Sequence, residues 1–171
     1  MTSNTNEQAA LDYLGRGWSV IPVCARAKRP AVPWKAYQSK HVSAQTLRDW
    51  FRRSPDYNVA IVTGELSGLV VMDVDPRHGG EESLRELERE HGELPETLES
   101  ITGGGGRHLY FAHPGGTVPN RTGIRPGIDL RGDGGCVVAP PSLHPSGKHY
   151  RWKKGHGPGD VTPADLPDWL R

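Results

Sequence analysis

The residues best placed to do chemistry lie in the run Leu69-Val70-Val71-Met72-Asp73-Val74-Asp75. Read as a strand, alternate side chains share a face, so Asp73 and Asp75 project together from the end of an apolar segment. Two carboxylates held that close repel each other, and a divalent cation relieves the repulsion. Mg²⁺ suits the pattern because it takes a few carboxylates and completes its shell with water and substrate phosphates. The other reading makes both acids surface turn residues leading into Pro76. A third acid stands in Gly127-Ile128-Asp129-Leu130-Arg131-Gly132, a second short strand in which Asp129 and Arg131 share a face. Brought beside Asp73 and Asp75, Asp129 completes a carboxylate set for two ions that clamp an in-line phosphoryl displacement. Arg131 then neutralises phosphate charge or orients Asp129. Taken alone, the Asp129–Arg131 pair reads more simply as a surface ion pair.

Two further segments could serve phosphate chemistry. In Gly104-Gly105-Gly106-Arg107-His108-Leu109-Tyr110-Phe111, the glycines let backbone amides approach an anion, and His108 shares a strand face with Tyr110. His108 can donate a hydrogen bond to a phosphate, whereas a flexible hairpin tip and a structural histidine are the plainer alternatives. In Val137-Val138-Ala139-Pro140-Pro141-Ser142-Leu143-His144, the proline pair forces a turn that leaves Ser142 and His144 near a strand end. There they contact a nucleotide or template, or Ser142 simply caps the turn. The sequence holds no Walker phosphate loop, no dinucleotide fingerprint and no Ser-His-Asp or Cys-His nucleophile arrangement.

The elements that must position these residues follow from periodicity and turn signals. Helices are expected at Asn6 to Arg16, after Ser43 as N-cap, and at Glu81 to His91, with a short one at Pro163 to Leu170. Strands are expected at Trp18 to Val23, Asn58 to Thr63, Leu69 to Asp75, Thr97 to Thr102 and Arg107 to Ala112. Three more follow near Gly127 to Arg131, Gly135 to Ala139 and Lys148 to Trp152. The four-glycine run Gly103 to Gly106 is the tip of a hairpin, and Pro114 to Pro126 reads as loop. Helices crowd the first half and neighbouring strands the second, so the fold class is α+β with a mixed or largely antiparallel sheet.

A chain of 171 residues with 35% hydrophobic and 24% charged residues suits one folded domain. Net charge is +1, but its distribution is uneven: ten acids and three arginines between Asp73 and Glu99, then eight Lys or Arg and two acids between Arg107 and Lys154. The second stretch reads either as a polyanion-binding surface or as a solvated mixed surface. Two cysteines, Cys24 and Cys136, give neither a zinc site nor a disulfide framework, which points to a reducing, cytoplasmic setting. The opening residues MTSNTNEQAA lack a signal-peptide pattern, and the longest apolar run, Leu69 to Met72, is far short of a membrane span.

In their order and spacing these motifs resemble the bifunctional primase–polymerase domain of the archaeo-eukaryotic primase superfamily. The resemblance rests on the apolar strand ending in Asp73-Val74-Asp75, the small-x-His motif Gly106-Arg107-His108, and the later acid Asp129. It also rests on Trp18 to Pro22 with Lys28-Arg29-Pro30 downstream, Thr63-Gly64, and Gly132 to Ser142, and it runs from about Ala10 to Trp152. It implies template-directed nucleotidyl transfer, with a metal-dependent nuclease or a non-catalytic nucleotide- and DNA-binding module as the competing readings. It implies that Asp73, Asp75 and Asp129 hold two Mg²⁺ or Mn²⁺ ions and that His108 contacts the nucleotide's phosphates. Gly106, Arg107, Arg131, Ser142, His144, Lys28 and Lys35 become candidates for nucleotide contact, and Lys148 and Arg151 for triphosphate or template. Trp34, Tyr110 and Trp152 become candidates for stacking on bases, with core packing the plainer fate of each. The implied fold pairs an RRM-like sheet carrying the acids with a smaller N-terminal α/β unit, the site lying between them. One catalytic domain, 1–171, is expected, with a core over 10–152 and a tail over 153–171. Its partners are a DNA template or primer and nucleoside triphosphates, with a helicase domain or protein as the further partner the resemblance implies.

Overall fold

The computed structural model describes residues 5–171. Residues 1–4 of the opening segment, read above for targeting signals, lie outside it. Eleven residues form α1 (Thr5–Gly15), followed by β1 (Ser19–Val23). Next, α2 (Ala44–Arg53) starts where expected: the Ser43 hydroxyl accepts from the Thr46 amide, satisfying one of the orphan donors of the first turn. Then come β2 (Asn58–Val62), β3 (Leu69–Val74) and α3 (Gly80–His91). The remaining strands are β4 (Leu98–Ile101), β5 (Arg107–Ala112), β6 (Arg121–Arg125), β7 (Ile128–Arg131), β8 (Cys136–Val138), β9 (Arg151–Trp152) and β10 (Ala164–Asp165).

These strands make two sheets, and the class is α+β as expected. The smaller has the order β1-β2-β8, antiparallel throughout. Its third strand comes from the far half of the chain, so the N-terminal unit is completed by residues 136–138. The larger has the order β6-β7-β3-β5-β4-β9, also antiparallel, with β10 added to the end of β5 in parallel. Its centre, β7-β3-β5-β4, carries the three candidate acids or their strand end.

Alternation decides what each face of β3 does. Val70, Met72 and Val74 face Leu84 and Leu87 of α3, while Leu69 and Val71 face the cluster built from α1, α2 and the small sheet. Burial on both faces explains the continuous apolar run, each such side chain contributing about 1.5–3 kcal/mol. Asp73 continues the Leu69–Val71 side, so it points away from α3 and toward the small sheet. A third cluster, with Ile21, Val23, Ala60, Val62, Val138 and Tyr150, covers the remaining face of the small sheet.

Two segments differ from expectation. Pro114 to Pro126, read as loop, contains β6, which pairs with β7 across a register shift. Its residues Arg121–Arg125 are partly or fully exposed at the sheet edge, so no apolar alternation marks them. Pro163 to Leu170, read as a short helix, is instead β10 followed by a single 3₁₀ turn at Asp168–Leu170. Prolines at 163 and 167 leave too few residues between them for an α-helical turn to propagate. Leu166 and Leu170 are nonetheless buried in the α3-side cluster.

Candidate functional site

Three of the four sequence-selected residues stand in one row across the large sheet. Asp73 on β3 has Asp129 as its register partner on β7 and His108 as its partner on β5. Side chains directly opposite in adjacent strands have Cβ atoms roughly 4.5–5.5 Å apart. Asp129, Asp73 and His108 therefore sit side by side on the face turned to the small sheet. Ser100 on β4 continues the row beside His108.

The side chains then find local partners. His108 Nε2 lies 3.6 Å from Asp73 Oδ1, and its buried Nδ1 has no hydrogen-bond partner among the described residues. Burial pushes the imidazole below its usual range; the Asp73 charge opposes this, and the Lys28 and Arg131 charges reinforce it. His108 is accordingly a neutral imidazole at neutral pH. Asp129 is held by Arg131, Nη2 to Oδ2 at 2.9 Å, and by the Gly123 amide, which donates to Oδ1 at 2.8 Å.

Asp75 lies just past the end of β3. Its backbone is fixed by N–H donation to Gly127 O at 2.8 Å, and its carbonyl accepts from Gly80 N at 2.9 Å. This close three-way contact needs Gly127, whose φ is +70° and whose Cβ would stand 2.5 Å from Gly80 N. The Asp75 carboxylate accepts from the Arg77 amide at 3.0 Å and from His78 Nδ1 at 2.9 Å. Slight burial pushes this carboxyl up, but those two bonds and the neighbouring Arg77 and His78 charges outweigh it and hold it below the usual carboxylate range.

Two adjoining cavities open on the row. One of about 260 Å³ is lined by Lys28, Asp73, His108, Arg131, Cys136 and Tyr150, among others. The other, about 40 Å³, is lined by Lys28, Asp73, Asp75, Arg77, Gly106, His108 and His144, among others. Lys28 reaches both from the loop after β1. His144 Nδ1 accepts from the Ser146 amide at 3.0 Å, so the ring proton resides on Nε2, which lies on the Gly104 side of the ring. The largest cavity, about 790 Å³, lies instead on the α3 side among His91, His113 and Trp169, away from the row.

Other sequence candidates are placed elsewhere. Arg107 lies on the opposite face from His108, because neighbours in a strand alternate, and it pairs with Glu99 at 2.7 Å and Glu81 at 3.3 Å. Ser142 is fully buried, its hydroxyl accepting from Val59 N at 3.0 Å and donating to Val59 O at 3.1 Å, so it braces β2 and does not face the cavity. Lys35 is exposed on the turn Lys35–Gln38 and lines neither cavity. Gly106 lines the smaller cavity, but its amide donates to Thr102 Oγ1 at 2.8 Å. Tyr110 is buried and presents no free face for a base, and the partly buried Trp152 packs against it, with ring centroids 5.1 Å apart, away from the two cavities on the row. Trp34 packs against the third cluster.

Sequence reasoning missed Tyr150 and Arg77. Tyr150 packs its ring between His108 and His144, with centroids at 6.1 and 5.6 Å, and burial pushes its phenol up to about 12. Its place before the short β9 carried no motif, and only the fold brings it to the row.

The donor chemistry of the row, carboxylate oxygens beside a neutral imidazole, suits a hard divalent cation. Among the described residues, however, no three His, Cys, Asp or Glu side chains converge as a ready ligand group. The reason is visible: Asp75 is turned onto Arg77 and His78, and Asp129 onto Arg131. Cys24 and Cys136 are free and partly buried. No helix among the described residues is long and apolar enough to cross a membrane.

An antiparallel sheet thus carries two facing carboxylates and a histidine over a basic-rimmed cleft. Over residues 10–169 the chain matches the family of bifunctional DNA primase/polymerase N-terminal domains, and it belongs to that family. Comparison with curated proteins returns no match. Membership carries a primase/polymerase-type nucleotidyl-transfer role in general, with interaction with DNA and nucleotides.

Proposed function

We propose that the domain performs template-directed nucleotidyl transfer in DNA replication, a 3′-hydroxyl attacking a nucleoside triphosphate and releasing pyrophosphate. The observation that carries this reading is the register pairing of Asp73 with Asp129 beside the buried His108. Like charges directly opposite in a sheet are destabilising, and the Arg131 and Gly123 bonds to Asp129 leave the Asp73 carboxylate without a hydrogen-bonded partner of that kind among the described residues. Its neighbours are a buried imidazole on one side and an arginine on the other, which is the setting of a charge-handling site.

In this reading Asp73, Asp75 and Asp129 hold two Mg²⁺ or Mn²⁺ ions. Such ions, when bound, neutralise triphosphate charge and lower the pKa of the attacking hydroxyl. The chain's own residues do the rest. Lys28 and Arg131 flank the acids and take phosphate oxygens as Asp129 exchanges its arginine partner for a ligand role. His144 offers Nε2–H to the same anion. His108, neutral and packed against Tyr150, orients the triphosphate without adding a charge that would repel a cation.

Incubation with labelled primer–template, deoxynucleotides and Mn²⁺ tests the proposal. Lengthened primers are the expected product. Shortened primers would instead establish a nuclease, because the same acids can direct water at a phosphodiester.

A further inference from the structure

Ion pairs cross between the two charged blocks of the sequence. Glu81, Glu90 and Glu99 of the acidic stretch pair with Arg107, Arg125 and Lys153 of the basic one, at 3.3, 2.9 and 2.8 Å. Arg131 is taken by Asp129, and Arg121 donates to the Leu170 carbonyl. Of the eight Lys or Arg from Arg107 to Lys154, the segment read above as one candidate for polyanion binding, four are thus held in ion pairs and Arg121 by a carbonyl, leaving Lys148, Arg151 and Lys154 exposed.

The longer run of uncompensated charge lies elsewhere. Between Tyr13 and Arg48 the sequence holds seven Lys or Arg and no Asp or Glu. Arg26, Lys28, Arg29, Lys35, Lys40 and Arg48 are all exposed, and none makes an ion pair among the described residues. Backbone bonds from Cys24 N to Arg29 O and from Ala31 N to Pro22 O, each 2.9 Å, close the first part into a short loop. Arg26 holds its tip at φ +51°. From Lys28 at the two cavities the segment runs to Gln38, whose Oε1 stands 3.5 Å from where a Cβ on Gly134 would be, beside the turn between β7 and β8. Its aromatic residues Trp34 and Tyr37 pack inward against the third cluster.

We infer that this segment is the track for single-stranded nucleic acid, leading an unpaired strand to the cleft. The inference rests on the proposed function and gives the template its surface. Cations spaced along one surface segment suit successive backbone phosphates. The inward packing of Trp34 and Tyr37 leaves no apolar face to enter a lipid surface, which membrane attachment would require.

Fluorescence anisotropy with a labelled oligothymidylate, read across a salt series, tests this. The variant R26Q/R29Q/K35Q spares Lys28 and is expected to bind at least tenfold more weakly. Its plot of log affinity against log salt should flatten by about 2, since each lost phosphate contact removes roughly 0.7 for a single strand. The charge-conserving R26K/R29K/K35R should restore both, and K154Q, at an exposed position of the other stretch, should change neither. All three are expected to keep the wild-type Tm and Mn²⁺-dependent binding of a fluorescent deoxynucleotide. Wild-type affinity and slope in the triple variant, an equal loss in K154Q, or tighter binding to phosphatidylserine vesicles than to the oligonucleotide overturns the track. Primer extension that persists beside such a result overturns the track alone. Oligonucleotide binding through this segment without any nucleotide addition overturns the proposed function and leaves the track standing.

Discussion

Asp73 and His108 face each other across β3 and β5, with the imidazole Nε2 3.6 Å from the carboxylate and the ring buried at the edge of the two cavities. A salt bridge is the obvious reading of such a pair, but burial and the nearby Lys28 and Arg131 charges keep the ring neutral. The pair is therefore a carboxylate beside a dipole, which leaves the Asp73 charge available to a cation. Asp73→Asn and Asp129→Asn are expected to abolish primer extension, a loss beyond the about 10–100-fold typical of outer-shell changes at metal sites. Both should keep wild-type Tm or exceed it, because each removes one of two facing charges. Extension within tenfold of wild type in either variant contradicts their assignment.

In the proposed site Arg131 competes for Asp129 with a bound cation. Their pair is about one-third exposed on each side, and a pair of that kind is worth about 0.2–1 kcal/mol. Arg131→Gln is therefore expected to raise Mn²⁺ affinity up to about fivefold without nucleotide, read by electron paramagnetic resonance of free Mn²⁺. The same change should weaken Mn²⁺-dependent nucleotide binding. Lower Mn²⁺ affinity would mean that Arg131 orients Asp129 for the ion instead of blocking it.

The row was legible in the sequence because it is written in strand alternation. Asp73, His108 and Asp129 each sit among apolar neighbours whose burial fixes which way the polar residue points. The same rule, applied to Arg107, would have turned it to the α3 face. Register was not legible, since only the hydrogen-bonded ladder sets Asp73 opposite both Asp129 and His108. Tyr150 and Ser142 show a second limit. One reaches the row and the other braces Val59 because of how residues 139–150 fold back over β2, contacts between segments some eighty residues apart. The edge strand β6 left no trace because its side chains meet solvent, and the charged blocks misled because ion pairing between them is a tertiary fact.

Glu99 gives the fold a pH dependence distinct from the candidate site. Its side chain is 6% exposed and accepts from Arg107 and Lys153 at 2.7 and 2.8 Å. Burial alone pushes the carboxyl up, but the two charged hydrogen bonds and their charges outweigh it and hold it below the usual range. A depressed carboxyl contributes stability that is fully present above its unfolded value, 4.5, and is lost as pH falls through the folded one. Glu99→Gln is expected to lower stability by about 2 kcal/mol at neutral pH, the scale of hydrogen bonds to charged groups. Urea melts should show that gap closing as pH drops below 4.5. A gap that stays constant down to pH 3 would show that the loss is one of packing and not of charge.

Gly106 tests whether the hairpin sets the spacing of the row. A Cβ there would stand 2.8 Å from the Val74 carbonyl oxygen and 3.1 Å from Thr102 Oγ1. Val74 lies between the two acids of β3, and its register partner is Arg107, next to His108. The methyl group of Gly106→Ala can only be housed by moving the end of β3 away from the hairpin, since the obstacle is backbone. That displacement changes the distance from Asp73 and Asp75 to His108. Overpacking of this kind costs about 1–3 kcal/mol, so Tm should fall by several degrees. Misplacement approaching 1 Å costs about 100-fold in rate, so kcat for extension should fall more than tenfold even at temperatures where the variant is fully folded. Gly159→Ala, at a site with open space and no left-handed backbone, should leave both Tm and kcat unchanged. If Gly106→Ala loses stability but keeps kcat, the hairpin supports the sheet without setting the row. If it keeps both, Val74 yields and the close contact has no bearing on the acids.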